Sequence, residues 1–385
     1  MGTIAWRMLT GDRAKYLGLV FGVAFAVMLM TQQASIFVGL MLRTAAQVID
    51  VTDADLWVMD PRIIYVEETE KLPETALWRV RSVPGVDWAA PFFKALAIAR
   101  APEGRLQQVF MLGVDDATLA GAPPRMIEGS VEDLRRPGAV VIDRVGALFI
   151  WPHAPGVERP SDIGRTLELA DRRATIVGIA EASAPFTTFP VVYARYSEAL
   201  RFAPPPRKPL SYILVRAKPG EDHAALAARI EAETGLKALP WRQFAWETIR
   251  YYLQRTGIPI NFGITVVLGF VVGAAVVGQT FTLFVLENLR QFGALKAMGV
   301  GNVTILGMVL LQGAAIGALG YAIGIGMAAA FFEITSRTNV DLRGFFLVWQ
   351  VAAGAGVAVA LIIAASALLA IRRALVLDPA VVFRA

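Results

Sequence analysis

The sequence predicts an α-helical membrane protein with four transmembrane helices and a large extracytoplasmic α+β domain, in two lobes, between the first and second helices. Three observations predict this fold class. The chain of 385 residues is 56% hydrophobic and 18% charged, and its mean hydropathy is +0.53, as is typical of membrane proteins. It holds several uncharged apolar runs longer than the ~20 residues that cross a bilayer. One long polar stretch, residues 43–255, separates the first run from the others.

The N-terminal segment, residues 1–15, mixes apolar side chains with cations. This pattern predicts a short helix in the cytoplasmic membrane interface, with Trp6 as an interfacial anchor. The apolar run that follows predicts the first transmembrane helix, residues 16–42. A signal peptide is the alternative, but the run is too long for the apolar region of such a peptide and lacks a small-x-small cleavage site.

The polar stretch 43–255 predicts an α+β domain, because short strand patterns occur together with amphipathic helical patterns. Near its end, a strand, a helix and a second strand follow one another, a β-α-β order that predicts a ferredoxin-like lobe. A high density of Pro and Gly predicts loops and a change of lobe across residues 121–164. The last helix is predicted to lead to the membrane and to bend into the next span at Gly257 and Pro259. The predicted strands are 55–60, 106–114, 211–216 and 236–241, and the predicted helices are 73–83, 221–234 and 246–254.

Three further apolar runs predict the remaining transmembrane helices. Lys and Arg residues concentrate at one set of span ends, which places both termini in the cytoplasm and the large domain outside it by the positive-inside rule. The net charge of +5 therefore reflects contacts with anionic membrane lipids and predicts no nucleic acid partner. The predicted segments are the spans 256–286, 303–332 and 345–371, an outer loop at 333–344 and a cytoplasmic tail at 372–385.

Glycines recur at small-residue spacing in two of the predicted spans, where they let neighbouring helices approach closely. These stripes offer more contact surface than three neighbouring helices of one chain can use, which predicts packing against a second copy of the chain. The predicted packing residues are Gly269, Gly273, Gly313, Gly317, Gly320 and Gly324.

The segment 287–301 follows the second predicted span and is amphipathic. Leu289, Phe292 and Leu295 recur at helical spacing while charged residues occupy other faces, which predicts a surface helix able to meet a soluble partner. An ordinary positively charged loop between two spans is the alternative interpretation.

The composition excludes several kinds of chemistry. The chain has no cysteine and only two histidines, His153 and His223, which are far apart in the sequence, so we expect no metal site. It has no GxxxxGK[ST] motif and therefore cannot hydrolyse ATP by itself. The predicted spans have no ionisable residue at mid-depth, which argues against a proton- or sodium-coupled carrier. We therefore expect a non-catalytic membrane protein whose energy comes from another subunit.

The segment 287–301 resembles the signature E-R-x-x-E-[IY]-[GA]-x-x-[KR]-A-[ILM]-G, which follows the second span of FtsX-like ABC transporter permeases. The window as a whole is most similar to the DevC branch of that family. Asn288 and Gln291 depart from the signature, since many members have Arg and Glu there. The stretches ADLWVMD and VPGVDWAAP resemble the start of the MacB-type periplasmic core domain, and the ending RRALVLDPAVVFR resembles the tail of these permeases. The residues that match the signature are Glu287, Gly293, Lys296, Ala297, Met298 and Gly299.

The resemblance implies a role for the amphipathic segment. In this family it is the coupling helix on which a cytoplasmic ATPase acts. Gly293 and Gly299 are then expected to set the shape of the backbone. The implied ATPase contacts are Glu287, Arg290, Phe292 and Lys296.

The resemblance also implies partners and a location. It implies a dimeric permease in a bacterial inner membrane, with its large domain in the periplasm, served by two copies of an ABC ATPase that bind ATP and magnesium. An HlyD-like periplasmic adaptor and an outer-membrane channel are further partners that it allows. The implied activity is mechanotransmission, in which ATP hydrolysis moves the outer domain and so exports or extracts an amphipathic, lipid-like molecule. An FtsX-like regulator of cell-wall hydrolases and a lipoprotein-release permease are the alternatives.

Overall fold

The computed structural model describes residues 13–68, 70–151, 161–203, 209–338 and 345–376. These residues form two compact units, which we call the helical unit (13–39, 257–337 and 345–376) and the α+β unit (40–256). The predicted interfacial helix 1–15 and tail 372–385 lie largely outside the described residues. The helices are α1 (Arg13–Thr44), α2 (Ala46–Ile49), α3 (Thr75–Arg81), α4 (Arg144–Ile150), α5 (Tyr196–Phe202), α6 (His223–Thr234), α7 (Trp241–Arg255), α8 (Ile258–Glu287), α9 (Leu289–Ala297), α10 (Asn302–Thr338) and α11 (Trp349–Val376). The strands are β1 (Leu56–Met59), β2 (Val86–Arg100), β3 (Leu106–Val114), β4 (Arg125–Glu128), β5 (Ala139–Asp143), β6 (Thr166–Leu169), β7 (Arg172–Glu181), β8 (Val191–Arg195), β9 (Tyr212–Ala217) and β10 (Lys237–Pro240).

Four helices of the described chain, α1, α8, α10 and α11, are long and apolar enough to cross a membrane. The α+β unit lies between the first and second of them in the chain, so the predicted fold class is confirmed. Two boundaries differ from the prediction. Helix α10 continues through Thr338, six residues beyond the predicted end at 332, and α11 continues through Val376 into the predicted tail. At the first of these ends, Thr335 donates its hydroxyl to the Phe331 carbonyl oxygen over 2.7 Å, so polar side chains extend the helix beyond its apolar run.

The glycine stripes bring the four long helices of the helical unit into close contact. A Cβ atom added to Gly273 of α8 would lie 2.5 Å from the Cβ of Ala26 in α1. One added to Gly320 of α10 would lie 2.7 Å from the Cβ of Val23, also in α1. Gly317 faces Ile363 of α11 in the same way. Glycine is therefore required where these helices cross.

The same contacts correct the argument for a second copy. Gly269, Gly273, Gly320 and Gly324 all face α1 of their own chain, Gly317 faces α11, and Gly313 is buried. The described stripes are therefore largely occupied within one chain, and they no longer argue for dimerisation.

Polar side chains inside the helical unit join its helices. The backbone N–H of Val348 donates to the Ser35 hydroxyl oxygen over 3.3 Å. The hydroxyl of Tyr321 in α10 donates to the carbonyl oxygen of Ala352 in α11 over 3.0 Å. Such bonds between helices are the role expected of uncharged polar residues in a membrane span.

One lobe of the α+β unit has the ferredoxin-like topology that the β-α-β order predicts. Its four strands lie in the order β10-β1-β9-β2, and every neighbouring pair is antiparallel. Helices α3 and α6 cover one face, where Val80 and Ile230 join the buried core. The opposite face buries Trp57 against Tyr212 and Phe244.

The second lobe is a closed barrel inserted between β2 and β9 of the first. Its six strands pair in the ring β2-β3-β8-β5-β7-β6, and β6 closes the ring by pairing with β2 again. The barrel interior is apolar, with Phe93, Met111 and Ile176 fully buried. Strand β2 belongs to both lobes because it pairs with β9 through residues 86–92 and with β3 through residues 93–100.

The described residues of the segment 121–164, which are 121–151 and 161–164, differ from their predicted role as loops. They contain β4, β5, α4 and a 3-10 turn at Val131–Arg135. The strand Ala139–Asp143 is buried at every position, so it lacks the alternating pattern of a half-exposed strand. Its short length and neighbouring glycine make it difficult to predict as a strand from the sequence.

The predicted bend before the second span is a break between two helices. Helix α7 ends at Arg255, and Thr256 has an extended backbone with φ −121° and ψ 157°. Helix α8 then begins at Ile258, with Pro259 in its first turn, where the missing proline N–H costs no hydrogen bond.

Candidate coupling site

Helix α9 follows the second long helix after a break of one residue. Asn288 separates α8 from α9 with φ −91° and ψ 9°. Its carbonyl oxygen accepts hydrogen bonds of 3.0 Å from the backbone N–H groups of Gln291 and Phe292. Glu287 is therefore the last residue of α8, and Arg290 lies in the first turn of α9. The segment is helical, as predicted for a coupling element.

A glycine-dependent turn ends α9. Gly299 has φ +88°, a left-handed conformation that a residue with a Cβ rarely adopts. Its N–H donates to the Lys296 carbonyl oxygen and the Val300 N–H donates to the Leu295 carbonyl oxygen, both over 3.0 Å. This pair of bonds is a Schellman motif, and Val300 packs against the apolar core that contains Leu295. The geometry agrees with the backbone role implied for Gly299.

The inner face of α9 is buried in the core of the helical unit. Phe292 is 3% exposed and Leu295 is 8% exposed. Both share one apolar core with Ile305, Met308 and Val309 of α10. Gly293 is buried as well. Helix α9 is therefore attached to the membrane-spanning helices by its own apolar side chains.

The burial of Phe292 corrects its implied role as an ATPase contact. A side chain that is 3% exposed within its own chain has almost no surface left for a partner. Phe292 is better described as the residue that anchors α9 to the helical unit.

Three exposed residues at the ends of α9 were not among the predicted ATPase contacts. Met298 is 72% exposed, and Gln291 and Ala297 are exposed too. Gln291 lies in the first turn of α9 and Met298 is its C-cap residue, so these side chains are exposed at the two ends of the helix. Helical spacing gave no signal for them, because Gln291 and Met298 are four and three residues from the buried Leu295 and so lie beside it on the helix surface. Lys296 is half-buried.

The described residues contain no cluster of His, Asp and Glu able to hold a metal ion. His223 lies near a single acidic partner, with its Nε2 atom 4.0 Å from Oδ1 of Asp55. His153 lies outside the described residues. Nothing in the described geometry therefore provides the three or four ligands of a zinc site.

Two protein families match the chain along most of its length. Residues 16–233 match the MacB-like periplasmic core domain family, and residues 263–379 match the FtsX-like permease C-terminal family. The fold and the matches define a membrane permease subunit of ABC transporters, a class that is generally non-catalytic. The chain belongs to the MacB-like, FtsX-like permeases, as its motifs predict, and is a membrane protein with an extracellular domain.

Solved structures of related domains resemble the α+β part of the chain. The extracellular domain of the noncanonic ABC-type transporter YknZ from Gram-positive bacteria is 12% identical, with a TM-score of 0.35, and the match covers 48% of this chain and 98% of that domain. The periplasmic region of MacB from Actinobacillus actinomycetemcomitans is 12% identical, with a TM-score of 0.37, over 54% of this chain and 94% of that region. A domain of a putative permease protein from Porphyromonas gingivalis is 14% identical, with a TM-score of 0.30, over 48% of this chain and 86% of that domain. No curated protein matches the chain.

Proposed function

We propose that this permease transmits the energy of ATP hydrolysis from a separate ABC ATPase, bound at α9, to its α+β unit. The observation that supports this proposal is that α9 is anchored in the helical unit and exposed at its ends. Phe292 and Leu295 are buried in the core of the helical unit, whereas Met298 at the C-cap of α9 is 72% exposed. A partner that binds the exposed ends of α9 therefore acts on helices that Phe292 and Leu295 hold together.

The proposed partner supplies the chemistry that this chain lacks. Two copies of an ABC ATPase bind ATP and magnesium and face two copies of this permease, which holds no cofactor. The proposed ATPase contacts are Gln291 and Met298, which are exposed at the two ends of α9, together with Glu287, Arg290 and Lys296. An uncharged, flexible methionine suits such a contact, because it fills irregular apolar grooves.

The proposed cargo is amphipathic and enters from the outer side of the membrane. Among the described residues, the buried polar side chains of the helical unit are the uncharged Thr31, Ser35, Gln312 and Ser366. Such spans provide few groups to solvate a hydrophilic molecule across ~30 Å of hydrocarbon. We therefore propose that the α+β unit captures or releases a lipid-like molecule, while the spans transmit movement.

The proposed location is a bacterial inner membrane, with both termini in the cytoplasm and the α+β unit in the periplasm. The distribution of Lys and Arg along the sequence supports this orientation. A periplasmic adaptor and an outer-membrane channel then complete the export path. Regulation of cell-wall hydrolases, the activity of FtsX-like regulators, would give the same ATPase contact without any cargo.

The contact at α9 is tested by Met298→Glu in the full-length permease, co-purified from its native membranes with the bound ATPase identified by mass spectrometry. A charge in a buried apolar contact costs ~2 kcal/mol or more, so we expect ATPase binding to weaken about thirtyfold or more. Ile163→Glu is the control, because Ile163 is an exposed apolar residue of the α+β unit. Unchanged co-purification of the Met298 variant would place the ATPase contact elsewhere.

A further inference from the structure

The α+β unit contains a cavity of about 580 Å³ beside strand β2. We call it the lysine cavity and define it by Lys71, Lys94, Leu96, Ile98, Arg100 and Leu106. Its volume lies within the ~300–1,000 Å³ that is usual for small-molecule sites. It is formed where β2 leaves the first lobe and enters the barrel, so residues from both lobes line it.

The wall of the lysine cavity is apolar and exposed. Leu96 is 56% exposed, Ile98 is 57% exposed and Leu106 is 58% exposed. Alternate residues of a strand share a face, and Phe93 and Ala99 of β2 are buried in the barrel interior. Lys94, Leu96 and Ile98 therefore share the opposite, outer face. Three large apolar side chains exposed together on a strand face suit an apolar ligand.

Within the part of the chain that the structure describes, the main chain of β2 also has no strand partner at the edge that faces this wall. Strand β2 pairs with β9 through Phe92 and with β6 only from Ala99 onward. At Lys94 the gap is filled by Ser211, whose hydroxyl accepts from the Lys94 N–H over 2.9 Å. No β9 or β6 residue pairs with β2 between these points, so the cavity lies at a gap in the sheet between the two lobes.

Two lysines form the basic end of the lysine cavity. The Lys71 ammonium donates to the Lys94 carbonyl oxygen over 2.8 Å and to the Ser211 hydroxyl over 2.9 Å. The Lys94 ammonium, which is 4% exposed, donates to the Val66 carbonyl oxygen over 2.7 Å. Each ammonium has three protons, and neither forms an ion pair with a carboxylate among the described residues. Donor capacity and positive charge therefore remain at this end.

The surroundings confirm that these charges are desolvated. The Nζ atom of Lys71 lies 4.3 Å from the ring centre of Phe93, and that of Lys94 lies 5.0 Å from the ring centre of Phe110. Burial lowers the pKa of Lys71 to about 8. Burial also lowers the pKa of Lys94 to about 7, an effect that the nearby Lys71 adds to and Glu67 opposes. A bound anion would relieve this cost.

The other end of the lysine cavity differs in charge. Glu168 forms an ion pair with Arg100, at 3.4 Å between Oε1 and the guanidinium nitrogen, and Asp171 follows in the turn between β6 and β7. An anionic group is therefore favoured at the lysine end and disfavoured at the Asp171 end. A ligand with one anionic end would bind in a single orientation.

We propose that the lysine cavity binds an amphipathic anion, with its anionic head group hydrogen-bonded to the half-buried Lys71 and stabilised by the charge of the buried Lys94, and with its apolar body on Leu96, Ile98 and Leu106. The head group is a carboxylate or a phosphate, since either accepts a charge-assisted hydrogen bond from an ammonium group. The role of this molecule as the exported cargo rests on the proposed function. The binding itself needs neither ATPase nor nucleotide, so an experiment can disprove binding at the cavity without disproving the proposed function, and the reverse.

The test is photolabelling of the full-length permease in nanodiscs of phosphatidylcholine with dodecanoic acid that has a diazirine at its apolar end. Mass spectrometry then locates the label, which we expect on peptides containing Leu96, Ile98 or Leu106. The double variant Lys71→Met with Lys94→Met should reduce labelling about tenfold or more, because the ionic hydrogen bond from Lys71 and the positive charge of Lys94 are both lost. Lys218→Met is the matched control, because Lys218 is an exposed lysine of the same unit.

A second variant separates loss of binding from loss of folding. Ile98→Glu changes an exposed side chain, so it should leave the fold intact and reduce labelling by repelling the probe. Unlabelled dodecanoate and dodecyl phosphate should compete, and the stronger of the two identifies the head group. Equal competition by dodecanol or dodecylamine would overturn the proposal, as would full labelling of the double variant.

Discussion

The backbone N–H of Val300 donates a 3.0 Å hydrogen bond to the carbonyl oxygen of Leu295, and this bond ends helix α9 before α10 begins. It joins residues five positions apart and depends on the left-handed backbone of Gly299 between them. Because Leu295 and Val300 also share the apolar core of the helical unit, the turn fixes α9 against α10. The position of the proposed ATPase contact is therefore set by one glycine.

Gly299→Ala should destabilise this turn by about 1 kcal/mol, since a Cβ disfavours a positive φ. ATPase stimulation should fall with it, because the exposed Met298 next to Gly299 loses its fixed position. Gly307→Ala is the control: Gly307 lies inside α10, has no positive φ, and an added Cβ would meet nothing within 4 Å. Thermal unfolding and ATPase rates measure both effects. Equal behaviour of the two variants would show that the turn does not position α9.

The proposed orientation predicts the result of reporter fusions. Alkaline phosphatase, which is active only outside the cytoplasm, should be active when fused after Gly220 and inactive when fused after Gly299. The reason is the concentration of Lys and Arg at one set of span ends. Colony colour and enzyme assays measure the outcome. Activity after Gly299 would reverse the topology and remove α9 from the reach of a cytoplasmic ATPase.

Lys94→Met should stabilise the α+β unit at neutral and lower pH by about 1 kcal/mol or more, because an unpaired buried charge is replaced by an apolar side chain. Val66 keeps a hydrogen bond in this variant, since its carbonyl oxygen also accepts from the Tyr212 hydroxyl over 2.8 Å. The pKa of Lys94 is lowered by burial from 10.5 to about 7. Between these two values the unfolded chain binds more protons, so wild-type stability rises with pH through that window.

The pH dependence distinguishes this explanation from better packing alone. The cost of the buried charge is fully present below pH 7 and disappears as pH rises toward 10.5. The advantage of Lys94→Met in thermal unfolding should therefore be largest near pH 6 and smallest near pH 10. An advantage that is independent of pH would show that Lys94 is not buried as a cation.

Local patterns predicted much of this fold, but not the barrel. The four spans and the β-α-β segment ending at β10 have patterns of length and periodicity that the chain itself displays. The barrel strands β5, β6 and β8 are four or five residues long, and they are held by partners distant in the sequence. Pairings of this kind depend on tertiary contacts, which no short window contains.

The candidate sites also combine features that local sequence predicts with features that depend on tertiary contacts. The α9 helix and its glycine stop were predicted from a short motif, but the burial of Phe292 depends on side chains of α10 that the motif does not include. The lysine cavity could not be predicted at all. It brings Lys71, Lys94 and Glu168 together from three separate segments, at a gap between two lobes.

In the proposed mechanism, nucleotide binding by the partner ATPase moves the region around Thr256, between α7 and α8. The chain has no cysteine, so Thr256→Cys places a single thiol in each of two permease copies. We predict that crosslinking between the two thiols, in complexes with the ATPase, differs between the ATP-trapped and nucleotide-free states. Adding Met298→Glu should abolish this difference without abolishing crosslinking. Equal crosslinking in both states, with the ATPase bound, would contradict mechanotransmission.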